Sequence, residues 1–203
     1  MSPSLSLSED QRDCLQEIVN VAMGQAGESL AQMLGQFVDL SIPKICLVER
    51  DGIRDALSEL VEGDVVSATR QGFDGDRIHG DAITLYSQSC SSQLQSLLKQ
   101  QGFEHSEVEG ILKVSSILNE GIITGVGSQI EAVLTGGEVK LIAEAKSLEE
   151  LLKQDDIPWE QALLVKINYG LEGLAAGCDL ILLMPEPVII ALRNKLDELL
   201  EDL

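Results

Sequence analysis

Apolar residues recur at Leu15, Ile18, Val19, Ala22, Ala26, Leu30, Met33 and Leu34, a spacing that gathers them on one side of a helix turning about 100° per residue. The pattern predicts a helix over residues 8–35. Ser8 followed by Gln11 is a capping-box pattern, and Glu9 and Asp10 suit the positive end of the helix dipole. On the opposite side, Asp13, Glu17, Asn20 and Gly24 follow one another at i+4, i+3 and i+4 and fall within a band of about 60°. That face is turned to water or to a partner. Gly24 and Gly27 stand near this stripe, and glycine costs about 1 kcal/mol relative to alanine inside a helix. Close approach by another molecule, tight packing against a neighbouring helix and simple tolerance of glycine in a long helix are all open explanations for them.

Downstream, residues 38–49 alternate and are rich in β-branched side chains, which predicts a first strand, with Pro43 breaking it or marking an edge. Residues 51–64 read as a short helix or turn. Two further strands, 65–73 and 78–87, flank the loop of residues 74–77 and form a predicted antiparallel pair. Helical spacing returns over 89–101 through Leu94, Leu97 and Leu98, with Gly102 placed to end it. A second long helix begins near Ser106, where Ser106 and Glu109 repeat the capping-box pattern, and its apolar content extends to about Thr135.

Sliding the chain by 99 residues without a gap lays Asn20 on Asn119, strand 38–47 on 137–146, strand 65–71 on 164–170, and 83–85 on 182–184. The last helix, 187–200, falls on 88–101. The chain therefore reads as an internal duplication, with one repeat over about 8–102 and a second over about 106–203, within a single domain spanning 1–203. The expected fold class is α+β: two pseudo-twofold helix-strand-strand-strand-helix units joining their strands into one continuous, mainly antiparallel sheet, with the long helices packed on it.

Composition narrows the function classes. The formal net charge is −20 and the 14 basic residues form no patch, which opposes nucleic acid phosphates. Apolar runs such as 180–184 fall far short of a membrane span, and the N-terminus carries no basic region followed by an apolar core, so a cytoplasmic protein is expected. Cys14, Cys46, Cys90 and Cys178 have neither metal-ligand spacing nor a CxxC pair, and His79 and His105 add little. Reduced structural thiols are expected, and no metal or other cofactor is expected on this chain. A metal-dependent hydrolase is disfavoured for the same reason.

The chemistry sits in the polar stripe of the first helix. A carboxylate such as Glu17 grips a lysine or arginine, and an amide such as Asn20 donates to one group while accepting from a water. Such a surface docks and orients. Water-orienting amides matter in phosphoryl transfer, where the metal and the phosphate can belong to the other protein. Solvated decoration of a helix face is the alternative reading.

Asp13, Glu17, Asn20 and Pro43 together follow the order acid or serine, three residues, Glu, two residues, Asn, 22 residues, Pro. This resembles the signature of the CheC, CheX and FliY family of chemotaxis phosphatases. At about 5% per residue type, a chance match is a sub-per-cent event. The resemblance implies a duplicated CheC-like domain that accelerates hydrolysis of the aspartyl phosphate of a CheY-type response regulator, whose own cleft holds Mg²⁺. It implies that Glu17 pairs with the regulator's active-site lysine and that Asn20 aligns the attacking water. Asp13 and Gly24 take supporting or docking roles, and Pro43 shapes the strand beside the helix.

In the second copy, Asn119 remains, but Ser116 stands at the glutamate position, Leu112 at the acid-or-serine position and Ile142 at the proline position. A single competent site is expected, with Ser116 and Asn119 as a degenerate second one. Leu112 and Ile123 are expected on the outward stripe. The alternative function is a non-catalytic interaction module. Flagellar switch proteins resemble this fold without the Glu and Asn pair, and CheC-type proteins also bind the receptor deamidase CheD.

Overall fold

The computed structural model describes residues 6–49, 52, 55–56, 65–104, 106–147, 161–172 and 177–201. Helix α1 spans Glu9–Leu34. Ser8 Oγ accepts from the Gln11 amide at 3.1 Å, while Gln11 Oε1 accepts from the Ser8 amide at 2.9 Å. Two orphan amides of the first turn are thereby satisfied. Gly35, at φ 62°, closes the helix in the left-handed conformation.

β1 (Val38–Leu40) and β2 (Lys44–Glu49) follow, so the expected strand is interrupted at residues 41–43. Pro43 sits in that break and has no N–H to give to a ladder. β3 (Val65–Gly75) and β4 (Ile78–Ser87) form the expected hairpin through Asp76 and Arg77, both at positive φ, 49° and 66°. A two-residue turn of that hand matches the twist of the paired strands. The expected element over 51–64 falls mostly outside the described residues. α2 (Gln88–Gln100) starts on Ser87, whose Oγ accepts from the Cys90 amide at 3.2 Å.

Helix α3 spans Glu107–Gln129, with the reciprocal cap between Ser106 and Glu109 in place. It stops short of the expected end near Thr135. Ile130, Ala132 and Leu134 are buried while Glu131, at φ 53°, and Val133 are exposed, and the Ala132 amide donates back to the Gly127 carbonyl at 2.8 Å, closing the helix in a left-handed C-terminal turn. The last apolar residues credited to the helix are therefore its exit. β5 (Thr135–Gly136), β6 (Lys140–Ser147), β7 (Gln161–Leu171), β8 (Gly177–Pro185) and α4 (Glu186–Glu201) complete the chain.

The strands form one eight-stranded antiparallel sheet in the order β1-β7-β8-β4-β3-β5. β2 extends the lane of β1 along β7, and β6 extends that of β5 along β3. The α+β class, the antiparallel sheet and the helices packed on it are as expected. The order helix, two short strands, two long strands, helix occurs twice.

One ungapped shift does not relate the two halves. β3 and β7 begin 96 residues apart, whereas the starts of α2 and α4 differ by 98. In the long helices a shift of 100 lays buried residues on buried residues: Leu15 on Ser115, Ile18 on Leu118, Val19 on Asn119, Ala22 on Ile122, Met23 on Ile123 and Ala26 on Val126. One residue of misalignment turns a helix by about 100°, enough to exchange an outward position for an inward one.

The main core lies between the sheet and the helices, with Leu15, Val19, Met23 and Leu30 of α1 meeting Leu118, Ile122 and Val126 of α3 and inward residues of β7 and β8. α1 and α3 run antiparallel and nearly touch backbone to backbone. A methyl added at Gly121 would lie 2.7 Å from Ala26 Cβ, and one added at Gly125 would lie 2.8 Å from Ala22 Cβ. A smaller apolar cluster, including Val66, Leu85, Leu164 and Ile181, occupies the other face of the sheet.

Candidate functional site

Docking α1 on the core through Leu15, Val19, Ala22 and Ala26 fixes which of its residues remain outside. Asp13, Glu17 and Asn20 are all exposed, and Gly24 is half-buried. No side-chain hydrogen bond or ion pair within the described residues engages Asp13, Glu17 or Asn20. Two carboxylates and a carboxamide thus stand on a rigid helix with their capacity unspent, able to accept from a cation and to hold a water.

The two glycines separate. A Cβ at Gly27 would lie 3.1 Å from Leu40 Cδ2, so Gly27 admits the neighbouring strand. A Cβ at Gly24 would meet nothing within 4 Å. Packing against a neighbouring helix accounts for neither.

β1 and β2 run back along α1, from Leu40 beside Gly27 to Cys46, where burial raises the thiol pKa and the Arg12 charge lowers it. At about 1.5 Å per helical residue and 3.3 Å per extended residue, Pro43 falls near the level of Asn20. Pro43 is buried, which fits a shaping role rather than contact with a ligand. Among the described residues no three His, Cys, Asp or Glu side chains are grouped to hold a metal ion, and no helix is long and apolar enough to cross a membrane.

Known proteins resemble this arrangement at two levels. No family model matches the chain. In sequence, 72 residues are 35% identical to the flagellar motor switch phosphatase FliY of Bacillus subtilis, covering 36% of this chain and 19% of that protein. The matched stretch is thus a minor part of that relative. In structure, FliY of Thermotoga maritima superposes with a TM-score of 0.73 at 13% identity, over 95% of this chain and 98% of that one. The FliM middle domain of H. pylori gives 0.62 at 11% identity, over 93% and 99%. CheX of Desulfovibrio desulfuricans gives 0.54 at 10% identity, over 83% and 99%.

The fold is that of the CheC, CheX and FliY family. The resemblance carried by Asp13, Glu17, Asn20 and Pro43 and these comparisons point to the same family.

On the second long helix the family motif is not displayed as expected. Asn119 is fully buried, and its Oδ1 accepts from Thr84 Oγ1 at 2.9 Å. It belongs to a buried polar layer beneath α3, where Thr69 Oγ1 donates to Ser115 Oγ and Tyr86 Oη contacts Ser115 Oγ, each at 2.7 Å. Ile123, expected outward, is 2% exposed, and Leu112 is half-buried. Ser116 alone of the degenerate pair reaches the surface. The shift of 100 puts Glu120, which is exposed, at the level of Asn20, and Lys113 at the level of Asp13.

An open groove of about 490 Å³ follows this second face, lined by Gln71, Glu109, Lys113, Ser116, Glu120 and Glu138 among others. Its carboxamide, Gln71, is buried and donates to the Gly137 carbonyl at 2.9 Å. Sequence reasoning missed a set of exposed apolar side chains beside α1: Phe37, Leu40, Ile42 and Leu47. The only available signal was Pro43, since a strand broken by proline turns side chains away from the regular in-and-out alternation.

Proposed function

We propose that this chain is a phosphatase for a CheY-type response regulator, acting through the outward face of α1. Glu17 docks the regulator by pairing with a lysine beside its aspartyl phosphate. Asn20 enters the cleft and aligns the water that attacks phosphorus, accepting from it while its amide nitrogen donates to a neighbouring oxygen. Mg²⁺ belongs to the regulator and neutralises the phosphoryl oxygens. This chain supplies position and a hydrogen bond, and forms no covalent intermediate.

The observation that carries this reading is that Glu17 and Asn20, three residues apart and so on one face of a helix, are both exposed and without partners in the described chain. The FliY names and the CheX likeness support it. The test is the decay of phosphorylated CheY-type regulators from the same organism, with Mg²⁺, alone and with wild-type or Asn20→Ala chain. Faster decay with wild type and basal decay with Asn20→Ala is the expected result. Equal acceleration by both proteins would remove Asn20 from the reaction.

The FliM middle-domain likeness favours a second reading, a non-catalytic module that binds regulators or flagellar switch components. Unchanged decay with every regulator, together with measurable binding, is its signature.

A further inference from the structure

Six large hydrophobic side chains are exposed among the described residues, and four of them, Phe37, Leu40, Ile42 and Leu47, fall within 11 consecutive positions alongside α1. Ile42 is 74% exposed and Phe37 77%. Leu40 fixes where this rim stands relative to the polar stripe, because its side chain lies against Gly27. Gly27 is seven residues beyond Asn20, which places it within about 20° of Asn20 around the helix. Leu40 therefore flanks the Asn20 line of α1, Ile42 follows it two residues on along the same segment, and Phe37 stands beyond the helix C-terminus.

Gly24 lies one turn beyond Asn20 and has no neighbour within 4 Å of its missing Cβ. Gly24 weakens its helix without relieving any crowding inside the chain, and leaves clearance for a partner at that level.

We infer that the rim of Phe37, Leu40 and Ile42, together with the clearance over Gly24, is the docking surface for the same regulator. This rests on the phosphatase reading. The partner surface presents an apolar patch beside its phosphorylation cleft, with the cleft's basic residue toward Glu17. Asp13 and Glu17 add charge complementarity to that basic residue, while the rim supplies the water-excluding contact. Without a side chain at position 24, the partner closes on the helix far enough for the Asn20 amide to enter the cleft.

The test uses the full chain and reads binding apart from turnover. Binding is measured by calorimetry with the beryllofluoride-loaded regulator, which does not turn over, and dephosphorylation is measured in parallel. Ile42→Ser is expected to raise KM and the binding Kd about tenfold with kcat near wild type. Gly24→Leu is expected to lower kcat/KM about a hundredfold. Gly24→Ala is expected to raise Tm by about 2–4 °C, as a helix interior relieved of glycine should.

Val133→Ser, at a residue 76% exposed elsewhere, is the control and should match wild type. If wild type accelerates decay but Ile42→Ser and Gly24→Leu bind and turn over like wild type, the docking surface is wrong and the phosphatase stands. If wild type itself fails to accelerate decay, the phosphatase reading falls, and this inference falls with it.

Discussion

Asn20 and Asn119 are the same residue type on two helices of similar length, yet they occupy opposite environments. Asn20 is exposed and unpartnered, whereas Asn119 is fully buried against Thr84. Their replacement by alanine should therefore separate cleanly. Asn20→Ala should change stability by less than about 0.5 kcal/mol and abolish accelerated dephosphorylation, because an exposed side chain supports no packing. Asn119→Ala should cost about 1–3 kcal/mol, since it leaves the buried Thr84 hydroxyl without its acceptor. Urea unfolding followed by circular dichroism measures the second effect, and phosphatase activity per folded molecule should stay near wild type. An equal loss of activity at both positions would contradict a single site on α1.

At the scale of elements, the crossing of α1 and α3 sets the site's geometry. Gly121 and Gly125 let the two helices approach until Ala26 and Ala22 fill the space that side chains would take. Gly125→Val should destabilise by about 1–3 kcal/mol or more, because backbone and a methyl group leave nowhere to move. It should also lower activity by tilting α1. The start of α1 carries a smaller, separable contribution. Ser8→Ala removes the oxygen that accepts from Gln11 and should cost about 1 kcal/mol, read as a shift in the denaturation midpoint.

For the whole molecule, the thiols report where the core is closed. Cys46 is exposed and Cys14 half-buried, whereas Cys90 and Cys178 are buried. An aromatic disulfide reagent at pH 8 should titrate Cys46 first and Cys14 next, with the other two reacting only on unfolding. Burial, with the Asp179 charge adding to it, pushes the Cys90 thiol from 9.0 up to about 12. Between pH 9 and 12 the folded chain then holds a proton that the unfolded chain releases, so stability falls as pH rises through that window. Below pH 9 both states are protonated and this group contributes no slope. Tm should drop between pH 9 and 11, and Cys90→Ala, though less stable overall, should show a shallower drop.

Much of this architecture was determined locally and was legible in the sequence. Ser8 with Gln11 and Ser106 with Glu109 mark helix starts because capping is a contact between residues three apart. The β3–β4 hairpin and the outward stripe of Asp13, Glu17 and Asn20 follow from periods of two and 3.6 that a few neighbours define.

What depends on contacts between distant segments was decided by tertiary structure. The offset between corresponding elements of the two halves ranges from 96 to 100 because connections differ in length, and only burial shows that Asn119 faces inward. Residues 130–134 are apolar enough to continue a helix, yet they leave it through a left-handed turn at Glu131, with Ile130, Ala132 and Leu134 packed into the core. Gly24 and Gly27 both project near the polar stripe, and only the path of β1 past Gly27 gives one an internal reason and leaves the other open. Sequence periodicity assigns residues to the faces of single elements, while the packing of one element on another determines which face remains free to meet a partner.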